Sequence, residues 1–270
     1  MWFPRRGKRP SAEQVAQRLI ALKYVVGYAI TAPPRDTLAT WFAGWSASEQ
    51  AEFAREAERR REAYWGHFRA LGLWGALSPQ ECELAATTVL TMTHPQQLNA
   101  MWRMEAVQVL MWALHLVATL PPYDVPASPN LLQAVPTEGI ERFVQSARLR
   151  PNREIDQARD LAELWHWRAR TRQLIEEGYT LDQFDPDRKM RAAGVETLDD
   201  IVRLTAKHGK EEGRFEVIDE DFAVHGKAYR DLSPEEWSEV RSITLERHFA
   251  LNWLCGYAPN NRWDETPTDT

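Results

Sequence analysis

The sequence predicts a mainly α protein: a single globular multi-helix domain over 1–270, with a central buried helix and at most one small β-hairpin near 215–227. Three observations carry that expectation. Helix-start chemistry recurs along the chain. Ser11/Gln14, Ser46/Glu49, Ser78/Glu81 and Ser233/Glu236 each set a hydroxyl three residues ahead of a Glu or Gln, the spacing at which the two side chains satisfy each other's backbone amides. Apolar residues between these starts recur at helical intervals. An apolar fraction of 44% and a charged fraction of 27% over 270 residues are those of a globular chain able to bury a large core.

Helices are expected near 11–30, 47–71, 79–93, 97–120, 137–147, 153–177, 180–184, 197–207 and 234–255. The basic start MWFPRRGKRP followed by LIALKYVVGYAI mimics a leader peptide. Glu13, Gln14, Gln17, Arg18 and Lys23 break the pattern, so an amphipathic first helix is expected instead. The stretch 47–71 is dense in Arg and Glu and reads as a solvated face with i,i+4 pairs. Pro79 and Pro234 fall at first helical positions, where a missing N–H costs little. The most apolar stretch, 101–120, holds Arg103, Glu105, Gln108 and His115, which suits a buried central helix and not a membrane span. The prolines of PPYDVPASPNLLQAVP end that helix and make an extended connection. FEVIDEDFAVHGK is the one candidate strand pair, and 185–232 is expected as a loop and hairpin insertion in the domain.

A formal charge of −6 argues against a nucleic-acid binder, and no membrane partner is expected. Twelve tryptophans imply either aromatic joints between helices or an interaction surface. Cys82 and Cys255 form neither C-x-x-C nor zinc spacing, so reduced thiols in a cytoplasmic protein are expected. Phosphate-loop, dinucleotide, zinc-protease and serine-hydrolase motifs are absent from the sequence, and no cofactor is expected.

Candidate chemistry lies on three helices. On the central one, Glu105, Gln108, Trp112, His115 and Thr119 follow at +3, +4, +3 and +4, within an arc of roughly 80°. Arg103 projects nearly opposite Glu105. In 153–177, Asp156, Asp160, Glu163 and Trp167 share a face. Carboxylates crowded there either pair with arginine and are inert, or shift upward and become general acids or bases. Glu163-Leu-Trp-His166 is an E-x-x-H, the spacing of di-iron bundles. The second copy such a site needs is missing from the sequence, so no metal is expected and Glu163 and His166 are weak candidates. The last helix carries Leu245, Phe249 and Trp253 at four-residue steps, with Arg247, His248 and Asn252 among its polar members. Gly256 suits a left-handed helix stop. Trp263 and Asp264 follow in a turn-prone run and are expected to latch onto the body.

Several of these pieces together resemble the bacterial family DUF4272. They are Arg18-Leu19, Leu77-Ser78-Pro79-x-Glu81, and Trp102-Arg103-x-Glu105 running into Trp112-Ala113-Leu114. They continue with Glu154-Ile155-Asp156, Asp160-Leu161, His166-Trp167 and Asp221-Phe222. The last is Glu246-Arg247-x-x-Ala250-Leu251-Asn252-Trp253-Leu254 with Trp263-Asp264. The resemblance implies a mainly helical bacterial or phage-associated protein. It implies no activity, cofactor or catalytic residue.

Three functional readings follow. The first is a cytoplasmic binding or regulatory module for a protein or small-molecule partner, of an immunity or accessory type, with Arg103, Trp112, His115, Asp156 and Trp167 at its groove. The second is a hydrolase-like enzyme using Glu105, Asp160, Glu163 and His166, with or without a metal. The third is a structural subunit whose buried charges fix helix register. An exposed apolar patch rich in Trp favours the first.

Overall fold

The computed structural model describes residues 7–184 and 195–268. The helices are α1 (Ala12–Thr31), α2 (Arg35–Ala43), α3 (Ala47–Ala70), α4 (Pro79–Ala85), α5 (His94–Ala113), α6 (Ile140–Ser146), α7 (Asn152–Glu176), α8 (Leu198–Glu211) and α9 (Pro234–Leu254). Three short strands, β1 (Val217–Ile218), β2 (Asp221–Val224) and β3 (Lys227–Ala228), form an antiparallel meander. The protein is mainly α, and the hairpin expected near 215–227 carries a third strand.

The capping chemistry explains most starts. Ser11/Gln14, Ser46/Glu49 and Ser78/Glu81 close complete capping boxes. Ser233 and Glu236 exchange the same pair of bonds at the start of α9. Thr93/Gln96 and Thr197/Asp200 add two further boxes. The Thr93 box explains why α5 begins at His94, earlier than expected.

Helix ends depart further from the expectation. The helix expected over 79–93 stops at Ala85. Beyond it Thr87 Oγ1 donates to Leu84 O at 2.8 Å, and the Thr88 amide donates to Thr91 Oγ1 at 2.9 Å. These hydroxyls compete with the helical backbone. The central helix stops at Ala113, short of 120. His115 takes a left-handed φ of 62°, its N–H reaches Trp112 O, and the Leu116 N–H reaches Met111 O. That is a Schellman closure with His where Gly is usual. His115 and Thr119 therefore lie outside the helix, and the predicted polar stripe is cut after Trp112.

The chain divides into two compact units. The first comprises Met1–Leu120, Ala127–Ile155 and Phe249–Pro267. In it α1 packs along α5, and its core includes Leu19, Ile20, Leu22, Trp65, Phe68 and Leu110. The second comprises Pro121–Pro126, Asp156–His248 and Thr268–Thr270. Its core is aromatic: Trp165 stacks on Tyr123 at 5.2 Å and meets Phe222 edge-on at 5.1 Å. Arg168 grips Asp221 through two bonds of 2.7 Å. Both residues are buried, and Asp221 also accepts from the Phe222 and Arg230 amides. The meander pairs Val217 with Phe222 and Ala223 with Ala228. Its two tight turns place Asp219, Glu220, His225 and Gly226 at positive φ, the conformation that matches strand twist. Of the expected 185–232 insertion, 185–194 lie outside the described residues.

Candidate functional site

The carboxylates singled out in the sequence fall in both units. Glu105, 1% exposed on α5, belongs to the first, where Oε1 accepts from the Ala127 amide at 2.7 Å. In the same unit Trp112 lies under the Arg150 guanidinium, 5.0 Å from the ring. Arg150 Nε also donates to Trp112 O at 2.7 Å. Arg103 sits over the Phe249 ring at 4.6 Å. His115 is exposed.

Asp156, Asp160, Glu163, His166 and Trp167 belong to the second unit, on α7. Arg159 holds Glu163 through both carboxylate oxygens, at 2.7 and 2.9 Å. Asp160 lies 3.4 Å from the same guanidinium and is exposed; Asp156 and Trp167 are half-buried. His166 Nδ1 lies 3.0 Å from His248 Nδ1, so one ring donates the N–H and the other accepts it. His248 is fully buried. Burial, with the charges of His166 and Arg159 adding to it, pushes its imidazolium down to about 2. Among the described residues no three His, Cys, Asp or Glu side chains gather where a metal ion would fit.

Arg247 is fully buried. It donates to Pro121 O at 2.8 Å, Pro122 O at 3.0 Å and Val125 O at 2.7 Å. The proline segment has no ladder for its carbonyls, and the planar guanidinium fork gathers three of them.

The tail residues belong to the first unit. Gly256, at φ 79°, closes α9. A Cβ there would lie 2.9 Å from Gly7 O, so the stop admits no larger residue. Asn252 donates to Pro267 O at 2.8 Å and Trp253 Nε1 to Asn261 O at 3.0 Å. The Trp263 ring is enclosed by Phe249, Trp253 and the Arg18 guanidinium, which lies 4.3 Å above it. Arg18 pairs with buried Glu81. Asp264 accepts from the Gln80 amide at 3.0 Å.

A different surface carries four aromatic rings, Trp41 exposed and Phe42, Trp45 and Phe53 half-buried. Trp41 and Phe42 end α2, Trp45 follows, and Phe53 comes from α3. Trp41 stacks on Trp45 at 6.4 Å and 18°. Phe53 meets Trp45 edge-on at 5.2 Å and Trp41 at 6.5 Å. Trp41 is 42% exposed. Beside it a shallow cavity of about 510 Å³ is walled by Trp45, Phe53, Glu49, Glu52, Glu56 and Arg59. Hydrogen bonds from Ser46 hold the Glu49 carboxyl below its ordinary range, so it is charged at neutral pH. Glu56 is shared by Arg59 and Arg60.

Residues 4–183 match the family model described as a domain of unknown function, DUF4272. The chain belongs to the DUF4272 family. The DUF4272 match takes in α1 to α7, the aromatic face, and the predicted residues from Arg103 to Trp167. The run from Glu246, which also entered the sequence resemblance, lies beyond it. No curated protein and no solved structure matches the chain.

The aromatic face escaped the sequence reading. Pro33 and Pro34 precede α2, which has no side-chain cap, so no helix start was signalled there. The usable signal was Trp41-x-x-x-Trp45, two large rings one helical turn apart beside a charged helix.

Proposed function

We propose that this DUF4272 protein is a protein-binding module whose partner presents basic side chains at the aromatic face around Trp41. The observation that carries this reading is a Trp-rich group, with Trp41 exposed, bordered by Glu49 and Glu52 and by Glu56, which Arg59 and Arg60 share. Exposed apolar patches mark docking surfaces, and Trp is prominent among residues that dominate interface energies. Ring faces attract guanidinium and ammonium groups, and Glu49 and Glu52 would meet the same charge. The net charge of −6 steers a basic partner inward at long range. A cytoplasmic setting goes with this reading, since neither Cys82 nor Cys255 forms a disulfide.

The test uses a defined probe. The full chain is titrated with an amphipathic helical peptide bearing arginines along one edge, and with its Arg→Glu counterpart, reading tryptophan emission. Binding of the basic peptide alone is expected, weakening as salt rises. Trp41→Ala and Glu52→Lys are each expected to cost at least about tenfold in affinity, the scale of one interface anchor. Equal binding of the acidic counterpart, or no loss in either variant, removes the proposal.

A further inference from the structure

The start of the chain carries the chemistry that complements the Trp41 face. Trp2 and Phe3 are followed by Arg5, Arg6 and Lys8, so two rings and three cations fall within seven positions of a chain whose formal charge is −6. On the face, Glu49 and Glu52 are exposed. Glu49 bonds to Ser46, and neither carboxylate has an arginine or lysine partner among the described residues. Glu56 is already taken up by Arg59 and Arg60. Opposite charges facing each other across a contact select the partner and fix its register, and aromatic rings add offset or edge-on contacts to it.

One copy cannot bring the two together. Gly7 donates its N–H to Gly256 O at 2.7 Å, and Ser11 caps α1 four positions later. The leading segment therefore departs from the N-terminal end of α1. Helices α1 and α3 run antiparallel: the Tyr24 ring meets Phe68 at 4.7 Å, and the Tyr28 ring meets Tyr64 at 5.3 Å. The start of α3 thus projects past the C-terminal end of α1, and it carries Phe53 with Trp45 against it. At 1.5 Å per residue the path from Ala12 to Tyr28 is about 24 Å, and that from Tyr64 back to Phe53 is about 16 Å more. From Gly7, the five residues to Trp2 reach about 17 Å at full extension, under half of that path.

We infer that the basic partner at the Trp41 face is a second copy of this chain, which docks its residues 2–6 there, the arginines meeting Glu49 and Glu52 and the rings joining Trp41, Trp45 and Phe53; this rests on the docking role given to that face. The two surfaces in contact differ, so the association is head-to-tail. Each docked copy offers its own face to the next, which builds a ring or a filament and not a two-fold dimer. A contact between one short segment and one shallow face belongs to the small, weak class of interfaces, and its exposed ion pairs weaken as salt rises.

Sedimentation of the full chain is the test. Its average mass is expected to rise from micromolar to millimolar concentration and to fall again as salt is added. Two variants break opposite sides of the contact: Arg5→Ala with Arg6→Ala in the leading segment, and Glu52→Lys on the face. Each alone is expected to associate at least about tenfold more weakly. Mixed, they are expected to pair one to one, because the first keeps a working face and the second a working leading segment. A wild-type chain that stays monomeric throughout, a variant that associates like wild type, or a mixture that forms no pair overturns the inference. The peptide titration, repeated on the Arg5→Ala/Arg6→Ala chain, separates this inference from the reading beneath it. If the basic peptide binds while the wild-type chain stays monomeric, only the second copy is refuted as the partner; if the peptide also fails to bind, both fall.

Discussion

His248 has to stay neutral for this fold to persist. It is fully buried, and its imidazolium is pushed to about 2, whereas an unfolded imidazole titrates near 6.5. The group therefore stabilises the fold fully above pH 6.5. As pH falls below that, the unfolded chain takes up the proton first, and stability drops by about 1.4 kcal/mol per pH unit. Denaturant midpoints between pH 7 and 4.5 should show this slope, and His248→Gln should flatten it; an unchanged slope excludes His248 as the source. Arg247 is a second single-residue test. Arg247→Ala leaves three carbonyls of 121–125 without their donor, which costs on the order of 3 kcal/mol. Arg247→Lys, with a point charge in place of a fork, should recover only part of it. A melting temperature unaffected by both changes refutes that role. The residue-level picture was partly legible. Arg159 bordering Glu163 on α7 follows from helix spacing, and they are paired. The His166–His248 contact joins residues 82 positions apart, and no local pattern announces it.

At the scale of elements, starts were easier to read than stops. Four of the six capping pairs carry Ser with Glu or Gln, a local chemistry visible in four residues. Thr93/Gln96 and Thr197/Asp200 use a weaker hydroxyl or a shorter acid and were missed. A stop depends on whether the next residue tolerates a left-handed turn. Gly256 announced its stop; His115 did not, because apolar periodicity continues past it. The same position offers a test. His115→Gly relieves a non-glycine residue at φ 62°, and His115 is exposed, so little packing is lost. Thermal or denaturant unfolding should show a gain of roughly 1 kcal/mol. A loss of stability would mean that the His115 side chain contributes more than its backbone costs.

For the whole molecule, composition gave the class and topology stayed hidden. The mainly helical expectation held because caps and periodicity agreed across most of the chain. The division into two units was not readable, since each is assembled from segments far apart in sequence and no linker marks the change. No helix among the described residues is long and apolar enough to cross a membrane, as the charges placed within 101–120 foretold. The tryptophans among the described residues do two jobs: Trp65 and Trp263 are sealed in, while Trp41 faces solvent. That difference has an optical consequence. The ring group at Trp41 and Trp45 shines from behind a screen of carboxylates, so a caesium ion is drawn to it and an iodide ion is turned away. The sealed indoles respond to neither. The protein thus carries its own lamp on the one face proposed to be covered, and whatever settles there will shade it from the cation first.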